Sequence, residues 1–356
     1  MSEKLRVGII GTGSISHCHA SSYKKLVNDV ELVCACDIDE AKLAAYCKQY
    51  DIPRMYTDYN EMLEKENLDA VSITTWNAAH AAPTMAALNH GVNVICEKPM
   101  AMNAAQAKEM ADCAKKNNKL LQIGFVKRFN YESLTVKHMI EQGTLGNLQY
   151  ARAKYLRRAG YPGRWFGDKE YSGGGPIIDL GVHIIDLSRY LAGNPKPVSV
   201  FARTYNLPIN RAENSSYYWS YYDPACGYKY DVEDFATGMI VFDNGFTLHI
   251  ETSFNFNCET DVTDLQIFGD KAGAVVEGGP KQVFGVKDGL FVDYKIPDFI
   301  RGIKYKDQFN NEIYHFIDSI KNGTPCRATA EDGITLMKIL DAFYESARTG
   351  ELVHID

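Results

Sequence analysis

The chain has 356 residues, more than one hydrophobic core usually organises, so two domains are expected. Its 46% hydrophobic and 23% charged residues are ordinary for a globular protein, and a formal net charge of -7 without a basic cluster excludes a nucleic-acid footprint. No apolar run reaches the roughly 18 residues of a membrane span. The start, Met1-Ser2-Glu3-Lys4-Leu5-Arg6, lacks the apolar core and cleavage site of a signal peptide. Nine scattered cysteines, with no Cys-x-x-Cys pair, suit a reducing compartment. A cytoplasmic protein is therefore expected.

In chain order, an apolar run at 5–10 ends at Gly11-Thr12-Gly13-Ser14-Ile15-Ser16, and a helical pattern follows to about Lys25. A second run, 30–36, ends at Asp37-Ile38-Asp39, with Asp39 placed to cap a helix to about Tyr50. A third, 70–74, stops at Thr75-Trp76-Asn77. A helix at 83–89 precedes a strand at 92–96, which stops at Glu97-Lys98-Pro99. Asn103 and Gln106 form a capping box for a helix to about Lys116, and a strand at 120–124 closes the set. Strands alternating with helices at this spacing predict βαβ units around a parallel sheet.

From Phe125 the rhythm changes. A helix at 131–141 leads to a strand at 148–155, a polar loop and a glycine-rich turn at 173–175. Strand-like runs then follow at 198–205, 235–243, 246–255, 264–268, 274–277 and 290–294, with Asp243-Asn244-Gly245 as a hairpin turn. Helices at 307–321 and 330–348 finish the chain. The fold class is thus α/β plus α+β: an N-terminal dinucleotide-binding domain, 1–124, and a C-terminal domain on a mainly antiparallel sheet, 125–356.

Gly11-x-Gly13-x-x-Ser16 lies between a strand and a helix, where the glycines permit a tight turn and a helix N-terminus receives a pyrophosphate. Asp37 ends the second strand, where a carboxylate accepts from both ribose hydroxyls and repels a 2′-phosphate. Ile38 follows where a phosphate-binding Arg could have stood, which favours NAD over NADP. The plain alternative for Asp37 is a turn former. Lys98 sits at the ligand edge of the sheet, where it is either a snorkelling surface lysine or a group that bonds a substrate hydroxyl.

Asp179, His183 and Asp186 recur at i, i+4 and i+7 after the glycine-rich turn, on one stripe of a helix otherwise made of Ile, Leu and Val. That pattern reads either as an internally satisfied network or as titratable groups facing a ligand. The aromatic stretch 215–230 suits equally a subunit contact, ordinary packing or a lid over a sugar. His17 and His19 diverge on their helix, and no zinc-type spacing occurs, so no metal is expected.

The Gly11-x-Gly13 turn, Thr74-Thr75-Trp76-Asn77-x-x-His80, Glu97-Lys98-Pro99, Gly124-Phe125-x-x-Arg128-Phe129-Asn130 and Gly174-Gly175-x3-Asp179-x-Gly181-x-His183-x2-Asp186 together resemble the glucose–fructose oxidoreductase / inositol dehydrogenase family, over essentially the whole chain. Trp76 and Tyr131 depart from it, standing where proline is common. The resemblance implies a Rossmann domain, an open-sheet domain that forms dimers or tetramers, a cis bond before Pro99, and Lys98, Asp179 and His183 as the catalytic set. Expected cofactor contacts are Gly11, Thr12, Gly13, Ser14, Ile15, Asp37, Ile38, Thr74, Thr75, Asn77, His80, Glu97, Lys98 and Arg128. Expected substrate contacts are Lys98, Arg128, Tyr161, Arg164, Trp165, Asp179 and His183. The expected reaction oxidises a secondary hydroxyl of a sugar or polyol with NAD. His183 is the base, Lys98 stabilises the developing alkoxide, and Asp186 braces the helix or His183. An NAD-recycling glycosidase, a reductase of a non-sugar acceptor and a non-catalytic NAD sensor are the rivals.

Overall fold

The computed structural model describes residues 3–206, 227–278, 282–295 and 304–356, so residues 215–226 of the aromatic stretch lie outside the described residues. The chain forms two compact units, Met1–Phe129 with Ile303–Ile334 and Asn130–Gly302 with Thr335–Asp356.

The first unit contains β1 (Leu5–Ile10), α1 (Ser14–Lys24), β2 (Val30–Cys36), α2 (Glu40–Tyr50), β3 (Arg54–Tyr56), α3 (Tyr59–Lys65), β4 (Ala70–Ile73), α4 (Ala81–Asn89), β5 (Asn93–Cys96), α5 (Ala104–Lys116) and β6 (Leu121–Ile123). The strands pair in parallel in the order β3-β2-β1-β4-β5-β6. The order reverses between β1 and β4, the place where open α/β sheets leave a ligand crevice beyond their carboxyl ends. Asp39 caps α2 through the Lys42 N–H, and Asn103 caps α5 through the Gln106 N–H. Gln106 itself accepts from the Met102 N–H rather than from the cap residue. β3 and α3 go beyond the expected elements, because Arg54 and Met55 are exposed and show no alternation.

The second unit begins with α6 (Tyr131–Glu141), β7 (Leu148–Leu156) and α7 (Lys169–Ser172), continues through a π-helical turn at Ile177–Gly181 into α8 (Val182–Leu191), and then builds its sheet. The remaining strands are β8 (Pro197–Tyr205), β9 (Phe235–Phe242), β10 (Thr247–Ser253), β11 (Val262–Gly269), β12 (Ala272–Glu277), β13 (Gln282–Lys287), β14 (Leu290–Lys295) and, after the two last helices, β15 (Val353–His354). The order is β14-β13-β12-β11-β7-β10-β9-β8-β15, antiparallel throughout except for the parallel pair β7–β10. Asp243-Asn244-Gly245 makes the β9–β10 hairpin, with Gly245 at φ 83°. Alternation puts Ala151, Ala153, Leu248, Ile250, Leu265 and Ile267 on the buried face. α8 packs there, and its Ile184, Ile185 and Leu187 each gain about 1.5–3 kcal/mol by full burial. Phe201, Met239 and Tyr205 remain exposed.

The compact units differ from the expected division at 124/125. The first unit runs to Phe129, and α9 (Gln308–Asn322) returns to it because Ile313, Phe316 and Ile317 complete the core of Val7, Ile9, Ala20 and Tyr23. The boundary near Ile334 falls inside α10 (Ala330–Thr349). No helix among the described residues is long and apolar enough to cross a membrane.

Candidate active site

In the first unit the turn after β1 is built by backbone approach. Gly11 has φ 90°, and a Cβ there would lie 2.7 Å from the Thr74 carbonyl oxygen, so only glycine fits. The Gly11 N–H donates to the Cys36 carbonyl at 2.8 Å, and the Thr74 hydroxyl donates to the Gly11 carbonyl at 2.6 Å. Thr74 thus holds the turn. The backbone N–H and hydroxyl of Thr12 both donate to Asp37 Oδ2, at 2.6 and 2.7 Å, and the Asp39 N–H donates to Oδ1. Burial pushes the Asp37 carboxyl up, but these hydrogen bonds and the Lys42 ammonium at 3.6 Å outweigh it and hold the group below its ordinary value.

These residues fit an NAD molecule. Gly13 precedes α1, and a Cβ there would meet nothing nearer than the Thr74 carbonyl at 3.8 Å, so the space before the helix is clear. No side chain caps α1, which leaves the N–H groups of Ser14 and Ile15 for an anion, while that of Ser16 donates to the Gly13 carbonyl at 3.1 Å. Asp37 Oδ1 accepts the Asp39 N–H at 3.0 Å and retains capacity for a ribose hydroxyl. Ile38 beside it is 73% exposed, an apolar surface for an adenine edge.

At the carboxyl edge of β4, the Thr75 hydroxyl donates to the Ala79 carbonyl across a short 3₁₀ turn, Asn77–Ala79, in which Asn77 is buried. His80 is buried, with Nδ1 2.7 Å from the Pro99 carbonyl oxygen and Nε2 3.2 Å from that of Thr75. Burial lowers its pKa, so the ring is neutral and the shorter contact assigns the proton to Nδ1. The Lys98–Pro99 bond is cis, as the resemblance implies. Glu97, also buried, accepts from His19 Nε2 at 3.0 Å and from the Lys98 N–H at 3.2 Å. Burial raises the Glu97 pKa, yet His19, Lys98 and His80 together hold it below the usual value. Lys98 is half-buried. Arg128 has no exposed surface: it donates to the Arg327 carbonyl at 2.6 Å, pairs with Asp332 at 2.9 Å and stacks over Phe125. Arg128, expected to contact cofactor and substrate, is thus buried and committed to Arg327, Asp332 and Phe125.

In the second unit, Glu233 receives the glycine-rich turn: Oε2 accepts from the Gly175 N–H at 3.0 Å, and Oε1 accepts from the Ile177 N–H at 3.3 Å and the Tyr344 hydroxyl at 3.0 Å. Asp179 lies within the π-helical turn, buried, with His183 half-buried and Asp186 buried in α8. The expected stripe at 100° per residue is therefore corrected. A π turn is wider than an α turn and re-aims Asp179 relative to His183, a device frequent at functional sites. Upstream, the Tyr161 hydroxyl donates to the Arg164 carbonyl at 2.7 Å, and its ring meets Tyr230 edge-on. Arg164 is exposed at φ 51°, and Trp165 stacks on Phe166 at 3.9 Å. Tyr228 meets Tyr171 edge-on, and the Tyr230 hydroxyl donates to Asp234.

Residues 5–125 match the profile described as an oxidoreductase family with an NAD-binding Rossmann fold, and residues 133–275 match the GFO/IDH/MocA C-terminal domain. The chain is 35% identical over 361 residues to the D-glucoside 3-dehydrogenase of Escherichia coli K12, spanning 99% of this chain and 98% of the relative. The chain belongs to the GFO/IDH/MocA oxidoreductase family. It is also 27% identical to an inositol 2-dehydrogenase of Salmonella paratyphi B, over 97% of this chain and 95% of the relative. The fold is shared with a levoglucosan dehydrogenase solved with NADH and levoglucosan, at a TM-score of 0.84 and 24% identity over 99% of this chain and all of that one. This GFO/IDH/MocA protein is an oxidoreductase with NAD as its cofactor.

Two buried residues of this family member, His19 and Glu233, stand outside the site residues expected from the sequence. The sequence pattern of His19 points to no metal, yet Ser16, His19, Ala20 and Tyr23 form a buried stripe of α1 that carries three polar groups, a legible signal of a buried network. Glu233 gave no local signal at all, because its partners are 56 and 58 residues away.

Proposed function

We propose that the chain oxidises a secondary hydroxyl of a sugar, glycoside or polyol, with Lys98, Asp179 and His183 as its catalytic residues. The observation that carries this reading is the likeness to D-glucoside 3-dehydrogenase along nearly the whole chain. Bound NAD supplies the hydride acceptor. The Lys98 ammonium binds the hydroxyl oxygen and stabilises the charge that develops there, and the imidazole of His183 takes the proton. Asp179 orients the substrate or the lysine. The exposed Arg164 and half-exposed Trp165 offer a donor fork and an aromatic face, groups suited to a polyhydroxylated ring. Phe201, Met239 and Tyr205 on the uncovered sheet face support a homo-oligomer, which sedimentation tests. The free thiols of Cys34 and Cys36 accord with the reducing, cytoplasmic setting expected from the sequence.

The test is a panel of glucosides, inositols and anhydrosugars incubated with NAD, following NADH absorbance and locating the new ketone by NMR. At least one should yield stoichiometric NADH, and Lys98→Met should abolish turnover while NAD still binds. Near-wild-type rates in that variant overturn the mechanism. Glycoside cleavage without net NADH would instead favour redox-recycling hydrolysis.

A further inference from the structure

Glu97 ends a chain of buried polar groups contributed by α1 and β4. The Tyr23 hydroxyl on α1 lies 2.8 Å from the Ser72 hydroxyl on β4, Ser72 lies 3.0 Å from His19 Nδ1, and His19 Nε2 lies 3.0 Å from Glu97 Oε1. Tyr23, Ser72 and His19 are at most 1% exposed, and Glu97 is 5% exposed. With His19 as a neutral imidazole, the Glu97 end sets the direction of every link. A carboxylate only accepts, so Nε2 carries the imidazole proton. Nδ1 then accepts from Ser72, and Ser72 accepts from Tyr23. Burial pushes the Tyr23 phenol up, so it stays a donor. Plain packing between α1 and β4 would be met by apolar side chains at no polar cost, whereas four polar groups here are desolvated and joined end to end.

The chain terminates on the turn that carries the proposed catalytic lysine. Glu97 takes His19 on one oxygen and the Lys98 N–H on the other, at 3.2 Å. On the far side of that turn His80 Nδ1 holds the Pro99 carbonyl. We propose that His19 is a positioning residue that locks the Glu97 carboxylate onto the backbone of Lys98 and so fixes where the lysine ammonium is presented. The claim rests on the dehydrogenase reading above for its link to catalysis, though not for the clamp itself. It also couples the two turns of the site, because α1 starts at the dinucleotide turn and carries His19 five residues after Ser14. The groups that face Glu97 are His19 on α1, His80 after β4, the adjacent Lys98, Glu312 on α9, whose carboxyl falls within 4.8 Å of this cluster, and the thiols of Cys18 and Cys96.

Two variants separate positioning from packing. His19→Leu fills the volume without a donor, and His19→Gln restores an amide N–H near the Nε2 position. The Leu variant should lose about 10²-fold in kcat, the cost of displacing a reacting group by about 1 Å, with KM for NAD unchanged. The acid limb of its kcat profile should move to higher pH, because a buried Glu97 without its donor ionises later. His19→Gln should recover most of the rate and the wild-type profile. An unchanged kcat and acid limb in folded His19→Leu protein overturns the proposal. A second measurement needs no substrate: infrared titration of the Glu97 carboxyl, assigned against Glu97→Gln, in wild-type and His19→Gln or His19→Leu protein. Protonation at higher pH in the Leu variant alone supports the clamp even if no sugar is oxidised. Identical titration in all three overturns it even if the dehydrogenase reading stands.

Discussion

Thr12 donates twice to one oxygen of Asp37, through its backbone N–H at 2.6 Å and its hydroxyl at 2.7 Å. The turn after β1 is therefore tied to the end of β2 before any cofactor arrives, with the carboxylate ionised and its second oxygen turned to the Asp39 N–H. Preorganisation of this kind lowers the ordering cost of binding.

Replacing Asp37 tests that arrangement. Asp37→Ala should weaken NAD binding by about 10- to 100-fold, the worth of one hydrogen bond to a charged acceptor, and should reduce discrimination against NADP. Calorimetric titration of both dinucleotides is the measurement.

At Gly11 the constraint is steric. A methyl group would sit 2.7 Å from the Thr74 carbonyl oxygen at a backbone angle of φ 90°. Gly11→Ala should cost about 2 kcal/mol or more in stability, read from urea unfolding, and should abolish NAD binding.

Arg128 and Asp332 form a buried ion pair, with the arginine side chain fully covered. Arg128→Met should destabilise by about 3 kcal/mol because it leaves the Asp332 carboxylate without its cation, while Asp332→Asn should cost less. If Arg128→Met raises KM for a sugar without lowering the unfolding midpoint, the arginine serves the substrate after all.

Glu233 satisfies the Gly175 and Ile177 N–H groups that lead into the π turn bearing Asp179. Glu233→Ala leaves those donors and the Tyr344 hydroxyl without their acceptor, so unfolding free energy should fall by about 2–4 kcal/mol. In the fraction that stays folded, kcat should fall more than NAD affinity, since Asp179 moves and the dinucleotide turn does not.

His315 makes the stability pH-dependent. Burial, with the Arg327 charge, lowers its pKa to about 4, and its Nε2 accepts from the Arg327 N–H at 3.0 Å, which only the neutral ring can do. The unfolded chain takes up this proton near pH 6.5 and the folded one only near 4. Stability from this residue is therefore complete above about pH 6.5 and is lost as pH falls towards 4. His315→Gln, which keeps an acceptor, should flatten that part of the curve of urea midpoint against pH.

The sequence by itself determined what is local. Gly11 and Gly13 between a strand and a helix, Asp39 and Asn103 as caps, Asp243-Asn244-Gly245 as a hairpin and the helix at 131–141 all follow from residues within a few positions of one another. Successive strand-like runs without intervening helices likewise announced the second sheet. Only the tertiary structure decided the partners: Arg128 with Asp332, Glu233 with Gly175, His19 with Glu97, and the return of α9 to the first core. A buried polar group takes whichever complementary group the fold brings within 3 Å, and that neighbour is set by strand order and helix packing. The same holds for the π turn at Ile177–Gly181, where an α-helical period assumed from sequence mis-aimed Asp179. Hydrophobic spacing cannot register the one extra residue that such a turn accommodates.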